Sequence, residues 1–283
     1  MTVKQLIQKI IYSFFINKYY AIKNKKELNL IPKIDCQIEN LRCKSNFSLE
    51  HFFESRQIEE AWVDSTNEIE KFDIPGWAGG VNPGDRKAIF YLISKLGPMT
   101  VLEVGTHIGA STIHMVSALN LIQQNTGNDT KLITVDIVDV NSPVRKPWIE
   151  FGTKYSPIEM TRRLANGPLV NFVTDTSLHY MAKSNQKFDL IFLDGSHSAA
   201  TVYQEIPMAL KLLNQDGVIL LHDYFPDKKP LWSNGIVIPG PCMATERFAN
   251  EGINIIVIPL KELPWPTKLE SNITSLALLL QNK

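Results

Sequence analysis

Two apolar runs in this 283-residue chain each end in an acid with a histidine close by. Phe188-Asp189-Leu190-Ile191-Phe192-Leu193 leads into Asp194 and, three residues on, His197; Gly217-Val218-Ile219-Leu220-Leu221 leads into His222 and Asp223. Near-continuous Ile, Leu, Phe and Val predicts strands buried on both faces, so these acids belong to strand ends rather than to a solvated surface. A helix near Val202 to Leu213 joins them into a right-handed β-α-β unit whose strands can lie side by side, about 5 Å apart. Ligands of open α/β sheets bind at the carboxyl ends of the strands. Two carboxylates meeting there repel unless a cation or a proton lies between them, and a divalent metal shared by Asp194 and Asp223 is the economical expectation.

A second constellation precedes these. Thr100-Val-Leu-Glu103-Val-Gly105-Thr106-His107-Ile-Gly109-Ala-Ser111 reads as a strand ending in a glycine turn, with a helix starting at Ser111 or Thr112. Glycine admits close backbone approach and a helix N-terminus offers free N–H groups, so such a turn suits a nucleotide-like ligand. The dinucleotide pattern G-x-G-x-x-G does not fit, because Glu103 precedes Gly105, His107 stands at the second glycine and no pyrophosphate cradle follows. The strand Leu132 to Asp136 also ends in an acid, which makes Asp136 a candidate ribose ligand. Leu169 to Val173 reads as a further strand closing on Asp175, which serves equally well as the N-cap of a helix from Ser177.

The pattern E-x-G-x-x-x-G resembles the first motif of class I S-adenosylmethionine-dependent methyltransferases, in the variant of catechol-type O-methyltransferases. The pairs Asp194-Gly-Ser-His197 and His222-Asp223-Tyr224 resemble metal-dependent O-methyltransferases acting on macrolide sugar hydroxyls, such as macrocin and mycinamicin O-methyltransferases. The resemblance covers roughly residues 76 to 259, as ordered motifs rather than identity. It implies S-adenosylmethionine held by Glu103, Gly105, Thr106, Gly109, Ser111, Thr112, Asp136, Asp194 and, as an adenine contact, Asp175. It further implies a metal, magnesium or manganese, on Asp194, His222 and Asp223, with His197 as the base. The chain departs from the family in placing His222 where a carboxylate or amide is usual. Either His222 turns away and water takes its place, or the site takes manganese, iron or zinc.

Methyl transfer from a sulfonium asks mainly for alignment of the acceptor oxygen and removal of its proton. A bound metal lowers the pKa of such an oxygen, and an imidazole accepts the proton near neutrality. The plainer role of His197 is to cap the helix starting near Ala200. His51, His114 and His179 have no ligand partners at metal spacing, and His107 is expected to shape the glycine turn.

Lysine plus arginine balances aspartate plus glutamate at 29 each, so nothing points to nucleic acid. Cys36, Cys43 and Cys242 form no disulfide framework, and a cytoplasmic setting is expected. Residues 1–26 carry Leu6, Ile7, Ile10, Ile11, Phe14, Phe15 and Ile16 among lysines: the apolar stretch is too short to span a bilayer and no small-residue cleavage site follows it, so the segment reads as a helix packed on the protein or a second subunit, or lying on a membrane surface. Asp73 to Asp85, rich in glycine and proline, is a loop entering a helix over Arg86 to Leu96, and can cover the cofactor or merely connect. Tyr224 to Cys242, with Pro226, Pro230, Pro239 and Pro241, is a candidate acceptor lid. A helix around Ala244 to Asn250 and two strands, Ile253 to Leu260 and Ser275 to Leu280, close the chain. The expected fold is a doubly wound, seven-stranded Rossmann-like α/β sheet over residues 73–283, with a helical extension over 1–72. The expected protein is a homo-oligomeric, metal-assisted O-methyltransferase of a small-molecule hydroxyl. A metal-independent O- or N-methyltransferase using His197, a nicotinamide oxidoreductase and a non-catalytic binding protein remain as other readings.

Overall fold

The computed structural model describes residues 3–34, 47–164 and 168–281. Cys36 and Cys43 lie outside them; Cys242 is a buried free thiol. The elements run α1 (Val3–Leu30), α2 (Arg56–Glu70), α3 (Pro83–Leu96), β1 (Thr100–Val104), α4 (Ala110–Thr126), β2 (Lys131–Asp136), α5 (Pro147–Glu150), α6 (Pro157–Arg163), β3 (Leu169–Thr174), α7 (Ser177–Lys183), β4 (Phe188–Leu193), α8 (Ala199–Leu212), β5 (Leu213–Leu221), α9 (Gly240–Asn250), β6 (Ile255–Pro259) and β7 (Ala277–Gln281).

The seven strands form one sheet in the order β3-β2-β1-β4-β5-β7-β6, parallel except for β7, which runs antiparallel to both neighbours. The expected seven-stranded doubly wound sheet is therefore present. Its order reverses between β1 and β4, and a crevice opens outside the carboxyl ends of strands at such a point. The central strands are apolar on both faces because helices cover both: Val101, Leu102, Leu190, Ile191, Val218 and Ile219 are almost wholly buried. Polar side chains set the helix starts. Asn82 accepts from Asp85 N with Pro83 in the first turn of α3, Ser156 and Glu159 form a capping box on α6, and Ser198 accepts from Thr201 N on α8.

Several boundaries differ from the sequence reading. α3 begins at Pro83 and α9 at Gly240, because a proline at a helix start costs no hydrogen bond; α5 and α6 are too short for periodicity to show, and α2 lies within the expected helical extension. β5 starts at Leu213, running straight out of α8 through Asn214, Gln215 and Asp216.

Asp189 ties the amino ends of three strands. Its Oδ2 accepts from Met99 N (2.9 Å), Thr100 N (2.8 Å) and Thr100 Oγ1 (3.0 Å), and its Oδ1 from Asn214 Nδ2 (2.7 Å). The β4–β5 register shifts between Phe188 and Leu190, so Asp189 falls at the irregularity. Asp189→Ala is expected to lower unfolding stability by about 2–3 kcal/mol, since charge-assisted hydrogen bonds are lost together; urea denaturation measures it.

Candidate functional site

A cavity of about 670 Å³ lies at the reversal point, over the carboxyl ends of β1, β2 and β4. Gly105, Asp136, Asp175, Asp194 and His197 are on its wall, as are Gly79 and Gly80 from the loop before α3. The 73–85 loop thus reaches the cavity.

The glycine turn is fixed by its neighbours. Gly105 has φ +98°, and a Cβ there would stand 2.6 Å from the carbonyl oxygen of Asp194, so only glycine lets β1 and β4 end this close. His107 takes a left-handed conformation (φ 49°), and its N–H donates to Asp136 Oδ2 at 2.8 Å; Val138 N donates to Asp136 Oδ1 at 2.9 Å. The turn and the acid of β2 thereby position each other, as expected of His107. Asp175 also borders the cavity; the α7 N-cap is Thr176, and Asp175 Oδ2 pairs with His179 Nδ1 at 2.6 Å. That hydrogen bond holds the Asp175 carboxyl below its ordinary range.

Other expected cofactor residues lie elsewhere. Glu103 is wholly buried, and its carboxylate accepts from Ser111 Oγ (2.5 Å), Thr112 Oγ1 (2.6 Å) and Thr134 Oγ1 (2.7 Å). Thr106 Oγ1 meets Thr134 Oγ1 at 2.5 Å, and Gly109 packs beneath Pro157 and Met160. None of Glu103, Thr106, Gly109, Ser111 or Thr112 is on the cavity wall. Direct ligand contact, expected for them, gives way to a bolt between β1, β2 and the start of α4, because the side chain of Glu103 faces the helix rather than the crevice. Burial pushes the Glu103 carboxyl up to about 7 against the opposing pull of its three hydroxyl donors.

At the other side of the cavity, β4 and β5 deliver four ionisable groups. His222 is nearly inaccessible, with Nδ1 2.6 Å from Asp194 Oδ1 and 3.7 Å from Asp223 Oδ2, and with Nε2 3.6 Å from Asp85 Oδ2. It therefore faces into the cluster rather than turning away. Its contact with Asp194 is short but misaligned, leaving Nδ1 without a hydrogen-bond partner, and Asp85 Oδ1 is likewise unpartnered. Burial opposes a charge on His222, yet Asp194 and Asp223, aided by Asp85, outweigh it and raise its pKa well above the ordinary range. His197 Nε2 is 3.4 Å from Asp223 Oδ2 and 4.0 Å from Asp194 Oδ1. Ligand atoms of Asp194, His197 and His222 all lie within 4.8 Å of one another, so His197 joins the set that could hold a metal.

Two participants escaped the sequence reading. Asp85, fully buried on the first turn of α3, backs His222; its signal was an acid just after Asn82-Pro83-Gly84, which read only as a loop end. Gly240 opens α9 so close to the loop after β4 that a Cβ would fall 1.9 Å from the carbonyl oxygen of His197. Residues 224–242, by contrast, contribute nothing to the cavity wall. Phe225, Trp232 and Val237 form their own apolar cluster, and Trp232 Nε1 donates to Ile273 O, so the lid expectation gives way to a packed segment. His51 pairs with Glu54, and His114 stacks on Trp62 with burial driving its pKa down to about 3.

Residues 102–224 match the family model described as a methyltransferase domain. No curated protein matches the chain. Among solved structures, the O-methyltransferase TomG of Streptomyces achromogenes, involved in tomaymycin synthesis and crystallised with S-adenosylmethionine, is similar with a TM-score of 0.51 at 18% identity, over 79% of this chain and 90% of TomG. The O-methyltransferase from Bacillus cereus with S-adenosylhomocysteine (TM-score 0.47, 18% identity, 81% of this chain and 92% of the other) and PaMTH1 of Podospora anserina with the same ligand (0.46, 16%, 81% and 89%) also appear. At such identities the TomG likeness speaks for the fold, and the sequence match speaks for a methyltransferase domain upon it.

The Glu103 environment predicts a pH signature. A carboxyl raised in the folded state makes stability fall as pH rises from its unfolded value near 4.5 to about 7, because the unfolded chain ionises first. The melting temperature of Glu103→Gln minus that of the wild type is therefore expected to increase across this window. A flat difference, read by calorimetry at stepped pH, would contradict the buried protonated carboxyl.

Proposed function

We propose that this methyltransferase domain transfers the methyl group of S-adenosylmethionine to a hydroxyl of a small molecule, of the sugar or glycosylated-metabolite class, with a divalent cation beside the transfer site. The observation that carries the reading is the meeting, on one cavity, of the Gly105 turn, Asp136 at the end of β2 and the Asp194–His197 loop. Asp136 would receive the ribose hydroxyls: two backbone N–H groups fix its carboxylate, which keeps lone pairs for further donors. Gly105, Gly79 and Gly80 leave the wall bare for close contact. When bound, the donor would supply a methyl made electrophilic by the positive charge on its sulfur, the bond to the acceptor oxygen forming as the sulfur–carbon bond breaks and neutral S-adenosylhomocysteine leaves.

His197 is the base in this reading. It is one-third exposed at the cavity, and Asp223, only 14% exposed, stabilises the imidazolium that forms. With Nε2 turned to Asp223 and Asp194, Nδ1 is left to accept the hydroxyl proton. Asp194, His222 and Asp223 would hold the cation, whose chemistry when bound is to lower the pKa of a nearby oxygen. The unpartnered Nδ1 of His222, buried among carboxylates, supports the fit. An imidazole in the donor set favours manganese, iron or zinc over magnesium, which prefers oxygen. A second reading makes His197 the third ligand, on the grounds that its ligand atom groups with those of Asp194 and His222.

Saturating S-adenosylhomocysteine is expected to raise thermal stability, by about 2.7 kcal/mol at a hundred times its dissociation constant, whereas NADH leaves it unchanged. A shift with NADH alone would move the reading to a nicotinamide enzyme. Chelation should abolish methyl transfer reversibly, and His197→Ala should keep the metal while losing about 10²- to 10⁴-fold in turnover. Loss of the metal from His197→Ala, by elemental analysis, would favour the ligand role; full turnover of the chelated, metal-free enzyme would leave His197 acting without a cation.

A further inference from the structure

Helix α1 turns a polar face to the protein and an apolar face outward. Asn17 Nδ2 donates to Gly235 O (2.7 Å) and its Oδ1 accepts from Val237 N (2.9 Å); Asn24 Oδ1 accepts from Ala199 N (2.6 Å). Ser13 and Asn24 are buried on this side, joined by Leu28 near the helix end. On the outside, Ile11, Tyr12, Phe14, Phe15, Tyr19 and Ile22 are each at least half exposed. Surface helices ordinarily bury that stripe. At 100° per residue Ile11, Phe15 and Ile22 fall within one narrow sector opposite Asn17 and Asn24. Lys18, Lys23, Lys25 and Lys26 are exposed around it, and the only acid in the helix, Glu27, sits 3.9 Å from Lys23.

We propose that α1 is a docking helix for an anionic lipid surface. Aromatic rings and aliphatic side chains would enter the boundary between headgroups and acyl chains, while the lysines reach the lipid phosphates. The charge selects this occupant over a second copy of the chain, since a symmetric pairing of α1 faces would bring four exposed lysines against four, with only Glu27, already beside Lys23, to receive them. No helix among the described residues is long and apolar enough to cross a membrane, so the contact lies along the surface. The helix is also tied to the active region: Asn24 caps the amide of Ala199, two residues after His197. Lipid docking thus engages the element that braces the His197 loop.

The test is co-sedimentation of the full chain with vesicles of phosphatidylcholine alone and of phosphatidylcholine mixed with phosphatidylglycerol, and it reads no activity. The wild type should pellet with the mixed vesicles, weakly with the neutral ones, and less as salt is raised. Phe15→Glu with Tyr19→Glu should lower partitioning about tenfold or more while the circular dichroism spectrum and melting temperature stay unchanged. Replacing Lys18, Lys23, Lys25 and Lys26 by Gln should remove the preference for anionic vesicles. Equal wild-type binding to both vesicle types, or none to either, overturns the proposal. So does a concentration-dependent dimer, by light scattering, that Phe15→Glu dissolves in a protein that ignores vesicles.

Discussion

The candidate site depends on the backbone contact between Gly105 and Asp194, where a single added Cβ would meet a carbonyl oxygen at 2.6 Å. It brings the turn after β1 against the loop after β4, the two strands flanking the point where sheet order reverses. The sheet supplies the approach, since β1 and β4 pair directly with Val104 opposite Leu193. Glycine at 105 supplies the room. Glu103 then locks the turn from behind by collecting three hydroxyls from α4 and β2, and Asp136 locks it from the far side through the amide of His107. A buried carboxyl serves as structural bolt here because its donors satisfy it without water.

Charge is the second organising quantity. Asp85, Asp194 and Asp223 surround His222 in a region with almost no solvent. Like charges so placed require positive compensation, and His222 provides it as an imidazolium whose pKa is raised by the carboxylates against its own burial. A divalent ion would offer the same compensation, but a coordinating histidine must first lose its proton, so cation and proton compete at Nδ1. Asp85 gives that competition its shape: an acid beside Nε2 can keep a proton there when Nδ1 is deprotonated, as acids behind ligating histidines do.

Much of this was legible from residue order. Apolar runs ending in Asp194 and His222-Asp223 named two central strands and their functional ends, because strands buried on both faces leave little ambiguity in type or direction. Asp136, at the end of the buried strand β2, and Asp175, just after the edge strand β3, also fell on the cavity. The misreadings have physical causes. Position at a strand end does not say which way a side chain leaves the turn, so Glu103 read as a ligand contact although it faces α4. Asp85 comes from a distant helix that only the fold brings to His222. The proline-rich 224–242 segment looked open because the hydrogen bonds that tie it to the rest of the protein, from Trp232 to Ile273 and from Gly235 and Val237 to Asn17, are remote in sequence. Periodicity found the apolar stripe of α1 but could not tell that the stripe faces outward.

The central claim is that the cavity between β1 and β4 takes the methyl donor with its reactive end beside the acid–histidine cluster. A crystal structure of the complex with S-adenosylhomocysteine tests it most directly. The account predicts the ribose hydroxyls on the Asp136 carboxylate and the sulfur on the side of Asp194 and His197. Ligand density lying away from Asp136, or a homocysteine portion directed away from Asp194 and His197, would contradict it.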